Sequence, residues 1–287
     1  MKAANLIPFV SSESGVFRRA FRNYRRTGSF VATWLPPIVI ILGILGAWEG
    51  YVRLFDVPKW LLPAPSVVGA TIVDDIGLLS RHTWVTLKEV VIGFGFALAS
   101  GVLIAIGIAL SRTVERAIYP FVIASQTIPI IAIAPLLLIW VGYGLTPKIM
   151  VVALIAFFPI AVNTIDGLKS IDPDTVNLMR TLGANRFQIL VKAQLPSAMP
   201  FLFSGARIAV AVSVIGAVIG EWVGSSEGLG YLMIRSKPQF LTERVFASIV
   251  VLSVMGIGLF LLVGLVERLA IPWWHNERRQ RGLSRDQ

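Results

Sequence analysis

At 287 residues the chain has the length of one or two soluble domains, but 55% of its residues are hydrophobic and only 15% are charged, against about a quarter charged in ordinary soluble proteins. A mean hydropathy of +0.76, with the apolar residues gathered into long blocks, excludes a soluble core and predicts a membrane helix bundle. The formal net charge of +10 sits beside those blocks, which argues against nucleic-acid binding and for anchoring in a lipid bilayer.

The chain contains no Cys, so disulfides, thiolate chemistry and iron–sulfur ligation are excluded. His82 and His275 both fall outside the blocks, which removes an internal bis-histidine haem site.

Residues 1–30 read as a basic cytoplasmic segment. Phe17, Phe21 and Tyr24 share one helical face among Arg18, Arg19, Arg22, Arg25 and Arg26, which fits an interfacial helix, a docking arm or a plain positive anchor. The first helix is read as uncleaved, because the segment before it is too long and arginine-rich for a signal peptide. A membrane-helix bundle is expected over 31–268, and a basic cytoplasmic tail over 269–287.

Four blocks carry no Asp, Glu, Lys, Arg or His: Thr27 to Trp48, Val90 to Ser111, Ala117 to Pro147 and Val245 to Val266. Each supplies one span, since a helix needs roughly 20 residues to cross about 30 Å of hydrocarbon. Ile149 to Ile165 and Phe201 to Gly220 add two more, the latter interrupted by Arg207. The fold class expected is all-α, a polytopic bundle of about six transmembrane helices.

Basic residues collect on the cytoplasmic side. With both termini inside, Lys2, the N-terminal arginines, Arg112, Arg116, Lys169, Arg180, Arg186, Lys192, Arg268, Arg278, Arg279, Arg281 and Arg285 are cytoplasmic. They outnumber the external Arg53, Lys59, Arg81, Lys148, Arg235, Lys237 and Arg244.

Along the chain, Pro63 and Pro65 predict a rigid connector after the first span, followed by an external amphipathic helix over Val67 to Thr86. Gly93, Gly95, Gly101 and Gly107 mark the second span as a closely packed, central helix. In the third, Pro129 and Pro135 should free carbonyls at membrane depth, with Ser125, Gln126 and Thr127 as polar partners; such breaks border cavities or serve as structural kinks. Gln126, Thr127, Pro129, Asn163 and Ser213 are the candidate translocation path. Arg207 reads as snorkelling or bonding helix ends in preference to binding solute. Glu221, Glu227, Gly228 and Gly230, expected outside the fifth span, are a candidate external gate or binding-protein contact, with a solvated turn as the competing reading.

The segment 168–196 is the most sharply punctuated. Asp172 is an N-cap, Pro173 occupies the first helical position and Asp174 complements the helix dipole. Gly183 closes this helix with a left-handed C-cap. Asn185 and Gln188 form a capping box for a second short helix, which Pro196 is expected to end. The apolar Leu178, Met179, Leu182, Phe187, Ile189, Leu190 and Val191 either pack on the bundle itself or fit a partner's groove between the charged edges Arg180 and Arg186.

This segment resembles the signature of the permease subunits of ATP-binding-cassette importers: Glu-Ala-Ala, three residues, Gly, nine residues, Ile-x-Leu-Pro. Gly183, Leu195 and Pro196 match at the required spacing. Asn177 stands for the glutamate, Leu178 and Met179 for the alanines, and Ala193 for the isoleucine. The likeness extends over about residues 55–268. Leu62-Pro63-Ala64-Pro65-Ser66, Pro129 through Trp140, Arg180-Thr181-Leu182-Gly183-Ala184 and Glu227-Gly228-Leu229-Gly230 are similar to the nitrate, taurine and alkanesulfonate branch. Gln126 through Ala132 and Asn163 through Gly167 look closer to relatives serving thiamine-pyrimidine precursors, a group near the riboflavin permeases.

The resemblance implies a type I importer permease in the bacterial inner membrane, paired with a second permease copy or homologue, two ATPase subunits and an extracytoplasmic solute-binding protein. Asn177, Leu178, Met179, Arg180, Gly183, Arg186, Leu195 and Pro196 would form the ATPase-coupling site. The chain lacks a Gly-x-x-x-x-Gly-Lys-Ser/Thr loop, so it is expected to be non-catalytic and to bind no cofactor, with ATP and Mg2+ on the ATPases. An ion-coupled secondary transporter or channel is the alternative class, and a scaffold or redox subunit a weaker third.

Overall fold

The computed structural model describes residues 35–274; the basic N-terminal segment and the tail from 275 onward lie outside the described residues. All regular elements among the described residues are helical. They fall into two compact units divided between Ser66 and Val67.

The first unit contains α1, Leu35–Leu54. After it, the carboxylate of Glu49 accepts from Arg53 Nε (2.6 Å), Ser66 Oγ (2.7 Å) and the Ser66 backbone N–H (3.0 Å). This clamp ties the connector through Pro63 and Pro65 back onto α1 and makes it rigid.

Eleven α-helices lie wholly within the described residues. After α2 (Pro65–Asp74), the second unit continues with α3 (Ile76–Leu110), α4 (Arg112–Ser125), α5 (Ile130–Val141), α6 (Leu145–Lys169), α7 (Pro173–Thr181), α8 (Arg186–Ile189), α9 (Leu195–Gly224), α10 (Leu229–Ser236) and α11 (Thr242–Ala270). The expected external helix is divided at Asp75, so its second half belongs to α3. Asp75 receives both Nε (2.7 Å) and Nη2 (3.2 Å) of Arg244, which anchors this corner to the start of α11.

Five helices among the described residues are long and apolar enough to cross a membrane: α1, α3, α6, the continuous Arg186–Gly224 helix and α11. The expected third span is instead two pieces. The chain breaks at 126–129, where Pro129 becomes the N-cap of α5; α5 alone reaches only about 18 Å. Thr127 donates both its backbone N–H (3.1 Å) and Oγ1 (2.7 Å) to the Ala124 carbonyl. Pro120 and Pro135 lie inside uninterrupted helices, so only Pro129 delivers the expected break. The turn before α6 uses Gly142 (φ +89°) and Gly144 (φ +129°).

The core is the seam where α6 lies between α3 and α9. Backbones approach closely there because small residues face large ones. A Cβ on Gly93 would stand 2.5 Å from Val152 Cγ1, and one on Gly101 2.9 Å from Ile160 Cγ2. Gly95 faces open space and Gly107 only loose packing, so half of the expected glycine stripe makes the seam. A Cβ on Gly205 would lie 2.5 Å from the Pro159 carbonyl oxygen and 2.8 Å from Asn163 Cβ. Gly205→Val is therefore expected to force α6 and α9 apart at a cost of about 1–3 kcal/mol, read as a lower thermal midpoint of the detergent-solubilised chain.

Arg207 ion-pairs with Glu267 in the last turn of α11 and lies over the Phe260 ring, in line with the helix-end reading of this charge. Exposed apolar faces on α1 (Ile40, Leu42) and α11 (Leu261, Leu265) suit hydrocarbon or a second apolar subunit, not water.

Candidate functional site

At one end of the bundle, α7 and α8 form a capped elbow. Asp172 accepts from the Asp174 N–H at 2.9 Å. At the other end of α7, the Ala184 N–H reaches the Met179 carbonyl and the Gly183 N–H the Arg180 carbonyl, both at 2.9 Å. With Gly183 at φ +84°, this is a complete Schellman closure. Asn185 and Gln188 exchange reciprocal bonds of 2.8 Å as a capping box.

Pro196 does not end the second helix. The chain passes through a π turn, Leu190–Gln194, in which the Leu195 N–H donates to the Leu190 carbonyl five residues back. That extra residue per turn accommodates the proline without a break, and α9 continues directly. The elbow is thus rigidly joined to the fifth expected span.

The elbow's apolar residues divide between the two open readings. Ile189 and Leu190 are buried, with Leu190 packed beside Ile108, Ile165, Leu168 and Ala198 of the bundle. Leu178, Leu182 and Phe187 remain 60%, 78% and 65% exposed. Asn177, Arg180 and Arg186 are also exposed, Met179 and Leu195 partly buried, and Pro196 exposed. Arg186 donates to the Leu110 carbonyl (3.4 Å), and Lys169 bridges Glu115 (2.6 Å) at the same end.

The path candidates are not brought together. Gln126, Thr127 and Pro129 are exposed at the α4–α5 break. Asn163 lies in the α6–α9 seam with Nδ2 donating to the Pro159 carbonyl (2.7 Å), and the fully buried Ser213 donates to its own helix at Ala209 (2.7 Å).

At the opposite end, Glu221 is not in a loop. It lies within α9 at 1% exposure, because donors from other elements satisfy its carboxylate and let the helix continue to Gly224. Thr86 Oγ1 donates to Glu221 Oε1 (2.6 Å), and the Gly230 N–H to Oε2 (2.5 Å). The Leu229 N–H donates to Thr86 Oγ1, and the Gly228 N–H to His82 Nδ1, each at 2.9 Å. Beside them Lys148 Nζ contacts Glu89 Oε1 (2.6 Å) and Ser225 Oγ (2.8 Å).

These bonds latch the segment 225–230 onto α3 and α6. Glu227 pairs with Arg81 at the rim, next to a cavity of about 430 Å³ lined by Arg81, His82, Tyr231, Arg235 and Arg244.

Both glycines of the latch are sterically required. Gly228 adopts φ +116°, and its missing Cβ would overlap the Glu221 carboxylate; a Cβ on Gly230 would stand 2.9 Å from Glu221 Oε2. Gly228→Ala is expected to cost about 1–3 kcal/mol in backbone strain alone and to raise amide exchange through 225–230, measured by hydrogen–deuterium exchange.

Sequence reasoning named Glu221, Glu227, Gly228 and Gly230 but missed His82, Thr86, Glu89 and Lys148 as their partners. A signal was available: Glu89 immediately precedes the charge-free run of the second expected span, Lys148 precedes the fourth and Glu221 follows the fifth. With an inside start, these three lie at one level on one side of the membrane.

The described helices are those of a polytopic membrane protein whose capped elbow runs unbroken into a long membrane helix. Residues 97–271 match the family described as binding-protein-dependent transport system inner membrane component, and the chain belongs to this family as a multi-pass membrane protein.

The formylaminopyrimidine transport permease protein ThiX of Halalkalibacterium halodurans is 40% identical over 240 residues, covering 83% of this chain and 96% of that one. The riboflavin transport system permease protein RibX of Chloroflexus aurantiacus is 37% identical, covering 83% and 89%. The taurine transport system permease protein TauC of Escherichia coli is 30% identical, covering 82% and 87%. Among solved structures, a chain of the inward-facing MetNI methionine ABC transporter shares the fold with a TM-score of 0.59 at 22% identity, covering 68% of this chain and 97% of that one.

Proposed function

We propose that this chain is the non-catalytic transmembrane subunit of an ABC importer and moves a small solute inward by ATP-driven alternating access. The observation that carries this reading is the elbow. It is rigid, locally capped and continuous with α9, yet it leaves Leu178, Leu182 and Phe187 in solvent. Apolar side chains on a preformed knob are suited to an ATPase groove, with Arg180 and Arg186 at its edges.

Two ATPase subunits carrying ATP and Mg2+ then drive two permease copies, or this chain and a homologue. An extracytoplasmic binding protein delivers the solute at the latched end, where Glu227 and the adjoining cavity are presented. Both termini are cytoplasmic in this arrangement, and the membrane is the bacterial inner membrane.

The solute class reads best as a pyrimidine or riboflavin-type vitamin precursor, because the permeases named for these solutes share more identity with the chain than the taurine permease does. A sulfonate or nitrate-like anion is the second reading. Reconstitution of the chain with its ATPase and binding protein in proteoliposomes tests the assignment: uptake should require ATP and the binding protein. Uptake by the chain alone, driven by an ion gradient, would overturn it in favour of a secondary transporter.

A further inference from the structure

The latch contains two buried carboxyls and a single buried cation. Glu89 is 0% exposed, Glu221 1% and Lys148 8%. Lys148 is committed to Glu89 Oε1 and Ser225. Both oxygens of Glu221 already receive donors, from Thr86 and from the Gly230 N–H. Among the described residues Glu89 Oε2 has no donor, and Glu89 stands one helical turn from Thr86, the residue that donates to Glu221.

Among the described residues no second cation is bonded to the pair. On α3, Arg81 is spent on Glu227 at the rim, and His82 accepts the Gly228 N–H on Nδ1, which fixes a neutral ring with its proton on Nε2. On α10, Arg235 donates to Tyr231. At the start of α11, Arg244 is held by Asp75. On α6 the facing charge is Lys148 itself.

Two ionised carboxylates would therefore leave one uncompensated negative charge and one unsatisfied oxygen in a dry site. Each is costly on its own. One proton removes both faults together: the cluster becomes neutral, and the orphaned oxygen becomes a donor.

We propose that the Glu89/Glu221 pair binds a single proton, carried on Glu89 Oε2 and donated to Glu221, and that this proton staples the 225–230 segment to α3 and α6. The proton belongs to the pair as a unit. Its loss places a like charge beside Glu221, the group that holds the Gly230 N–H and, through Thr86, the Leu229 N–H. Deprotonation and release of the segment are thus one event.

The test uses the purified chain in lipid nanodiscs, without ATPase or solute, so its outcome is independent of the transport reading. Infrared spectra at neutral pH should show a protonated-carboxyl C=O band that shifts in D2O. The band should vanish in Glu89→Gln and in Glu221→Gln and persist in Glu115→Gln, whose carboxylate is bound to Lys169 elsewhere. Glu89→Gln, an isostere of the protonated acid, should keep wild-type amide protection at Gly228, Leu229 and Gly230. In the wild type, raising the pH should remove the band and this protection together.

A wild-type spectrum without the band, or a band unchanged in both Gln variants, overturns the proposal. Should the variants fail to accumulate, the wild-type titration decides alone, because loss of the band with protection retained overturns the staple.

Discussion

Replacing Leu178 and Leu182 together by Asp is expected to prevent docking of the proposed ATPase and abolish ATP-driven uptake while leaving the bundle folded. Both side chains are largely in solvent; Leu182 caps α7 through its backbone N–H, so the two substitutions cost only the unfavourable charge at the helix C-terminus, about 0.3–1 kcal/mol each. The elbow's own integrity rests on Asp172, Gly183, Asn185 and Gln188, none of which is altered. In an ATPase groove, each leucine would contribute about 1.5–3 kcal/mol by burial. The pair therefore accounts for roughly 3–6 kcal/mol, or about 10²–10⁴ in affinity, before the cost of desolvating two new carboxylates. ATPase retained through tandem purification reads the effect, and the thermal midpoint of the chain alone supplies the control. Retention at the wild-type level would show that these side chains meet no partner.

The elbow was legible because everything that shapes it is local. An N-cap, a Pro at the first turn, a Gly with positive φ and a capping box act over three to six residues, and the structure reproduces all four. Pro196 was misread for the same reason: its local rule is to stop a helix, and only packing of Leu190 against the bundle, with the π turn, makes continuation cheaper. The apolar blocks located the spans but not their ends. Helices α3 and α9 run beyond the charge-free stretches because Glu89 is paired with Lys148 and Glu221 accepts from Thr86, residues 59 and 135 positions away in sequence. Pairings at that separation depend on helix rotation and register, which composition does not encode. The broken third span lies between these cases. Pro129 and Pro135 both announced a break, but which of them delivers it depends on the path of α5 past α6.

The second large effect is expected from Lys148→Met. Removing one partner of a buried charge group leaves the other uncompensated, at a cost of about 3–5 kcal/mol, and here the remaining group would hold one negative charge at a site with almost no solvent. Methionine matches the lysine stem closely, so the loss reports charge and hydrogen bonding more than volume. The double variant Lys148→Met/Glu221→Gln restores neutrality and should recover part of the loss, although Gln offers one carbonyl oxygen where Thr86 and Gly230 now find two. Glu89→Gln alone keeps one anion and one cation and should unfold near the wild type. Thermal midpoints in one detergent should therefore fall in the order wild type and Glu89→Gln, then the double variant, then Lys148→Met. A double variant no better than Lys148→Met would assign the cost to the lost Lys148–Ser225 bond, since only charge balance makes the second substitution compensate for the first.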